Sequence, residues 1–115
     1  MAEPNMTSGV IMPYNLEAEQ SVLGSILIDQ ECMELVVSEI NADAFYLPQH
    51  REIFSAMMLM YTNSKAIDPV IIADVLTKKG HYDTAGGREY LMTLAQCVPS
   101  TVNIEYYVKI VKEQF

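Results

Sequence analysis

The chain has 115 residues, half of them hydrophobic, and a formal net charge of −8. That length suits one domain with one core, and the apolar content excludes disorder over most of it. Apolar runs such as Met57 to Met60 fall far short of the roughly 18 residues of a membrane span, no basic-then-apolar leader opens the chain, and seven scattered basic residues build no strong patch for phosphates. The acidity suits a protein-facing module with basic partners. The two cysteines, Cys32 and Cys97, lie in apolar helical patterns and are expected to be buried reduced thiols in a cytoplasmic protein.

Residues 1–14 carry two prolines, a glycine and no apolar periodicity, and are expected to form a flexible arm. Asn15 is an N-cap for a first helix that starts with Glu17 and Glu19 in its favourable first turn. Leu16, Leu23 and Leu27 form its stripe, with Val22 and Ile26 beside it. Gly24 in this helix costs about 1 kcal/mol against Ala. The expected compensation is a second helix packed so closely that no side chain fits, which makes this the innermost helix. Asp29 closes it. A second helix runs from about Glu31 to Ile40, with Cys32, Leu35, Val36 and Val37 inward. The connector Asn41 to Tyr46 carries Phe45 as a core plug.

Pro48 suits the first turn of a third helix, which places Ile53, Phe54, Met57, Met58 and Tyr61 inward and leaves at least one methionine outward. Asp68-Pro69 is a strong helix start. The fourth helix then has Ile71, Ile72, Val75 and Leu76 inward and stops at Gly80. A loop through His81 and Asp83 leads to Gly86-Gly87, where a fifth helix opens with Tyr90, Leu91, Leu94 and Ala95 on one side. After Val98-Pro99-Ser100, Asn103 caps a sixth with Ile104, Tyr107, Val108 and Val111 inward. Tyr106 and Ile110 form a further apolar pair on this helix. It is either the edge of a wide core-facing stripe or a contact with another subunit or with following chain, since the helical pattern is still running at Phe115. No segment alternates with period two for long enough to argue a strand. The prediction is an all-α compact globule of about six helices over residues 15–115, with Leu23, Gly24, Phe45, Ile53, Phe54, Leu91, Leu94, Tyr107 and Val111 in its core.

Catalytic chemistry is not legible. No GxxxxGK loop occurs, and Gly86-Gly87-Arg88 reads as a turn-to-helix junction. His50 is expected to be packed or to cap a helix, because acid–base work needs a paired carboxylate and the sequence nominates none. Ser21 and Ser25 have no activating base in sequence. Glu17, Glu19, Glu31 and Glu34 read as a solvated acidic rim. A helix-turn-helix made of the third and fourth helices is the alternative, a helical DNA-binding module. It requires base-reading polar residues where the fourth helix has Val70, Ile71, Ile72, Ala73 and Asp74.

Several segments, in this order and spacing, resemble a known family: Pro13 to Gly24, Asp43-Ala44-Phe45-Tyr46, His50-Arg51-Glu52-Ile53-Phe54, Ile67-Asp68, Gly86-Gly87 with Tyr90-Leu91, and Pro99-Ser100 with Asn103-Ile104 and Tyr106. Together they resemble the N-terminal domain of the bacterial replicative DNA helicase of the DnaB type, from about residue 13 to the end. The resemblance implies a collar domain that supports hexamer assembly, usually as a trimer of dimers, and recruits primase. It implies that a helical hairpin follows the globule, and that ATP, Mg and DNA unwinding belong to a C-terminal motor domain, with no cofactor or metal in this one. Its partners would be further copies of the same protein and primase, with DNA reached only through the full-length ring and no membrane. Family positions implicated in communication with primase map to Glu17 and Tyr90, and Tyr106 and Ile110 are candidates for a subunit interface.

Overall fold

The computed structural model describes residues 15–80 and 87–114, and every described element is a helix. In chain order these are α1 (Leu16–Ile28), α2 (Cys32–Glu39), a 3₁₀ turn (Ala42–Ala44), α3 (Pro48–Thr62), α4 (Pro69–Lys78), α5 (Gly87–Gln96) and α6 (Ile104–Gln114). The expected arm at 1–14, the loop through His81 and Asp83, and Phe115 lie outside the described residues.

The helix ends follow from local chemistry. Asn15 stays extended and its side chain accepts from Ala18 N at 2.9 Å. Asp68 does the same for Val70 N at 2.7 Å, with Pro69 in the first turn, where its missing N–H costs nothing. Pro48 opens α3 in the same way. Past α4, Gly80 takes a positive φ of 77° and its N–H returns to Thr77 O, a left-handed stop that a side chain would oppose.

Helix α1 is the axle. It packs against α6 and α5 most extensively and also against α2 and α3. Eight of its 13 residues are buried, around nearly the whole circumference, as befits a helix covered on all sides. A Cβ placed on Gly24 would collide with the Leu94 carbonyl oxygen and stand 3.2 Å from Cys97 Sγ. The glycine therefore lets α5 end against the backbone of α1. Leu23, Phe45, Ile53, Phe54, Leu91, Leu94 and Val111 are all buried, whereas Tyr107 is half-buried at the edge of the core. Polar ties close the perimeter. Lys112 pairs with Glu39 at 2.9 Å, joining α6 to α2, and Gln30 Oε1 accepts from Ile67 N at 2.8 Å, pinning the α3–α4 link to the α1–α2 turn.

Several expected faces are rotated. Leu16 is exposed, because the first residue of α1 precedes the neighbours that cover the rest. In α2 Met33 is buried along with the expected Cys32 and Val36, while Leu35 and Val37 are half-buried. Tyr61 lies exposed near the end of α3, and Ile71 is exposed because α4 packs mainly on α3 and α5. The outward member of the Met57–Met60 run is Leu59; Met57 and Met60 are buried and Met58 is half-buried. Cys32 is buried as expected, but Cys97 is exposed beyond the end of α5. Glu19 is no part of a solvated rim. It is fully buried, unlike Glu17, Glu31 and Glu34.

Candidate functional site

Where α1, α3, α5 and the end of α6 meet, Glu19 is the hub of a buried polar cluster. One carboxylate oxygen, Oε2, accepts from Tyr46 N at 2.6 Å and from the Gln114 amide. The other, Oε1, bonds His50 Nδ1 at 2.6 Å and accepts from Leu47 N at 3.4 Å. Both side chains of the Glu19–His50 pair are fully buried. Burial alone would push the Glu19 carboxyl up. The hydrogen bonds from His50, Tyr46 and Gln114, with the charge of His50, outweigh burial and hold it below its ordinary value. This cluster carries structural information too, because the backbone N–H groups of Tyr46 and Leu47, which have no helix to serve them, end on Glu19.

The relay continues outward. An ionised carboxylate only accepts, so His50 Nδ1 is the donor. Nε2 lies 2.5 Å from the Tyr90 hydroxyl, accepting from it when the ring is neutral and donating to it when the ring is an imidazolium. The Tyr90 oxygen in turn accepts from Gln20 Nε2 at 3.3 Å. The His50 and Tyr90 rings stack with centroids 5.8 Å apart and planes 13° apart, and Phe45 meets His50 edge-on. His50 is thus paired with a carboxylate after all, contrary to the sequence expectation. Tyr90 already bonds both His50 and Gln20, so the arrangement is a fastening that carries polarity from the core to the half-buried Tyr90. Among the described residues no three metal-ligating side chains gather.

Helical spacing carried a signal for both missed residues. Glu19 stands three, four and seven residues before Val22, Leu23 and Ile26, all fully buried, and His50 stands in the same relation to Ile53, Phe54 and Met57. Each polar residue heads an apolar stripe, which points it at the core whatever its polarity.

The sequence-derived candidates fall on α1 and on the two helices, α5 and α6, that pack on it most extensively. Glu17 is exposed one turn before Gln20, the residue that bonds Tyr90, so both lie along the α1–α5 seam. Cys97 closes that seam, its Sγ donating to Gln20 O at 3.4 Å. Partial desolvation pushes this thiol up, a backbone hydrogen bond opposes that, and the Glu17 charge adds to the rise. On α6 the Tyr106–Ile110 pair is divided. Tyr106 is 65% exposed, edge-on to Tyr107, whereas Ile110 is half-buried against the core. Helix α4 exposes Val70, Ile71 and Asp74, and Lys78 there pairs with Asp74 at 3.1 Å. That face has no array of side chains suited to base edges.

These features define an all-helical globule, built on one buried helix, whose polar chemistry serves to fasten its helices. The model of the DnaB-like helicase N-terminal domain matches residues 11–113, and the chain belongs to that family. The N-terminal domain of DnaB helicase from Mycobacterium tuberculosis superposes with a TM-score of 0.86 at 35% identity, over 90% of this chain and 72% of that one. A solved DnaB-like replicative helicase, described together with its interactions with primase, gives 0.77 at 29% identity, over 86% of this chain and 23% of that one. The replicative DNA helicase DnaB of Leifsonia xyli is 38% identical over 102 residues, 89% of this chain, and that of Treponema pallidum is 35% identical over 111 residues, 94% of this chain. The chain spans only 22% and 25% of these two helicases. The matched portion is the N-terminal domain, not the ATP-dependent motor. Among the described residues no helix is long and apolar enough to cross a membrane.

Proposed function

We propose that this chain is the interaction domain of a cytoplasmic replicative DNA helicase, supporting assembly of the helicase ring and recruiting primase during DNA replication. The observation that supports this reading most is the family match over residues 11–113, joined to a structural neighbour described with its interactions with primase. Residues 15–115 act as one collar domain that binds no cofactor. ATP and Mg serve the motor domain, and DNA is met through the assembled ring. The α1–α5 seam, with Glu17 and Tyr90, is the surface for primase, and the exposed Tyr106 on α6 belongs to a subunit interface.

Sedimentation velocity tests both halves of the proposal. The chain alone is expected to self-associate in a concentration-dependent way that Tyr106→Ala weakens, and a mixture with the C-terminal domain of the cognate primase is expected to give a faster-sedimenting complex. A chain that stays monomeric at every concentration and sediments independently of primase contradicts it.

A further inference from the structure

Away from the Glu19 cluster, a cleft of about 870 Å³ opens between α2 and the α3–α4 link. This is within the range of about 300–1,000 Å³ that encloses a small ligand or a few side chains. Glu31 and Glu34, three residues apart and so on one side of α2, stand on one wall with Leu35. Tyr61, 41% exposed, stands on the other with Lys65 and the edge of Ile67. No ion pair among the described residues engages Glu31 or Glu34. Two carboxylates without an ion pair among the described residues, an exposed phenol ring and the aliphatic Leu35 and Ile67 line one cleft, and they match one side chain especially well. A guanidinium is planar, forks onto carboxylates and stacks on an aromatic face.

We propose that this cleft is a docking site for a short segment of another protein in which arginine alternates with aliphatic residues. The arginines lie against Glu31, Glu34 and Tyr61, and an aliphatic side chain sits between Leu35 and Ile67. A second copy of this chain is a poor occupant. Its two arginines are already engaged, Arg51 with the Tyr46 carbonyl and Arg88 within its own fold, so neither is available to enter this cleft on another copy. Nucleic acid is excluded because it shares the chain's negative charge. This inference is independent of the primase reading.

The test is fluorescence anisotropy of a labelled, capped Leu-Arg-Leu-Arg-Leu peptide titrated with the chain. Saturable binding is expected, weakened about tenfold by the double substitution Glu31→Gln/Glu34→Gln and comparably by Tyr61→Ala. The double substitution Glu105→Gln/Glu113→Gln, on exposed carboxylates of α6, leaves it unchanged, and a Leu-Glu-Leu-Glu-Leu peptide does not bind. All five substituted residues are exposed, and circular dichroism verifies that each variant is folded. If Tyr61→Ala fails to fold, the glutamate pair decides alone. Absence of saturation overturns the proposal, as does equal weakening by the α6 pair, or a dimer in sedimentation that Glu31→Gln/Glu34→Gln dissolves.

Discussion

Glu19 shows how much one residue can hold. It brings a carboxylate into the core, and it stays ionised because two backbone N–H groups, an imidazole and an amide satisfy it. Its folded-state value lies below the unfolded one. The carboxylate therefore stabilises the fold above its unfolded value, and this contribution is lost as pH falls through the folded value. Chemical denaturation at a series of pH values from neutral downward is expected to show stability falling below about pH 5. In Glu19→Gln the neutral-pH stability is lower and this acid dependence flatter. An unchanged acid slope in the variant would mean that other carboxylates carry it. Ser25 is the opposite case. Its Oγ is buried with no hydrogen-bond partner, and such an orphan costs about 1–3 kcal/mol. Ser25→Ala is expected to raise the stability by at most about 1 kcal/mol once the small void left behind is counted, read as a higher denaturation midpoint. A lower midpoint would show that the hydroxyl has a partner after all.

At the level of the helix, what is local was legible and what is tertiary was not. Asn15, Pro48, Asp68-Pro69 and Gly80 mark helix ends because caps act through residues a few positions away. The close approach at Gly24 was also legible, since an interior glycine is a cost that packing must offset. Faces were read less well. Ile71 and Tyr61 are apolar enough to be placed inward, but the number of neighbours around α4 and the end of α3 decides their exposure. The Glu19–His50 pair was hidden because Glu19 was read as solvated and no carboxylate was nominated for the packed His50, although the spacing of each residue to its buried followers pointed inward. Gly24→Leu is expected to cost about 1–3 kcal/mol by overpacking against the end of α5. Differential scanning calorimetry measures it, and an unshifted melting curve would remove the account of why α1 and α5 approach so closely.

The whole molecule spends its apolar surface on seating α1 among its neighbours, and its buried polar groups fasten α1, α3, α5 and α6 to one another. The class of function followed from what the sequence lacks, a phosphate-binding loop and a basic face, together with the ordered segments that resemble one family. The proposed docking surface was legible only as residue names, because Glu17 and Tyr90 share a seam only after α5 folds back on α1. Consistent with this, the pure chain is expected to turn over no ATP in a coupled phosphate-release assay, and appreciable turnover would place an active site where none has been described.

The most direct measurement is titration calorimetry of the chain with the C-terminal domain of the cognate primase. Saturable binding is expected, weakened by Tyr90→Phe, which removes only the hydroxyl that His50 and Gln20 hold, and weakened further when Glu17→Lys is added. Binding that neither substitution alters, or no heat of binding at all, would contradict the assignment of the α1–α5 seam as a protein-docking surface.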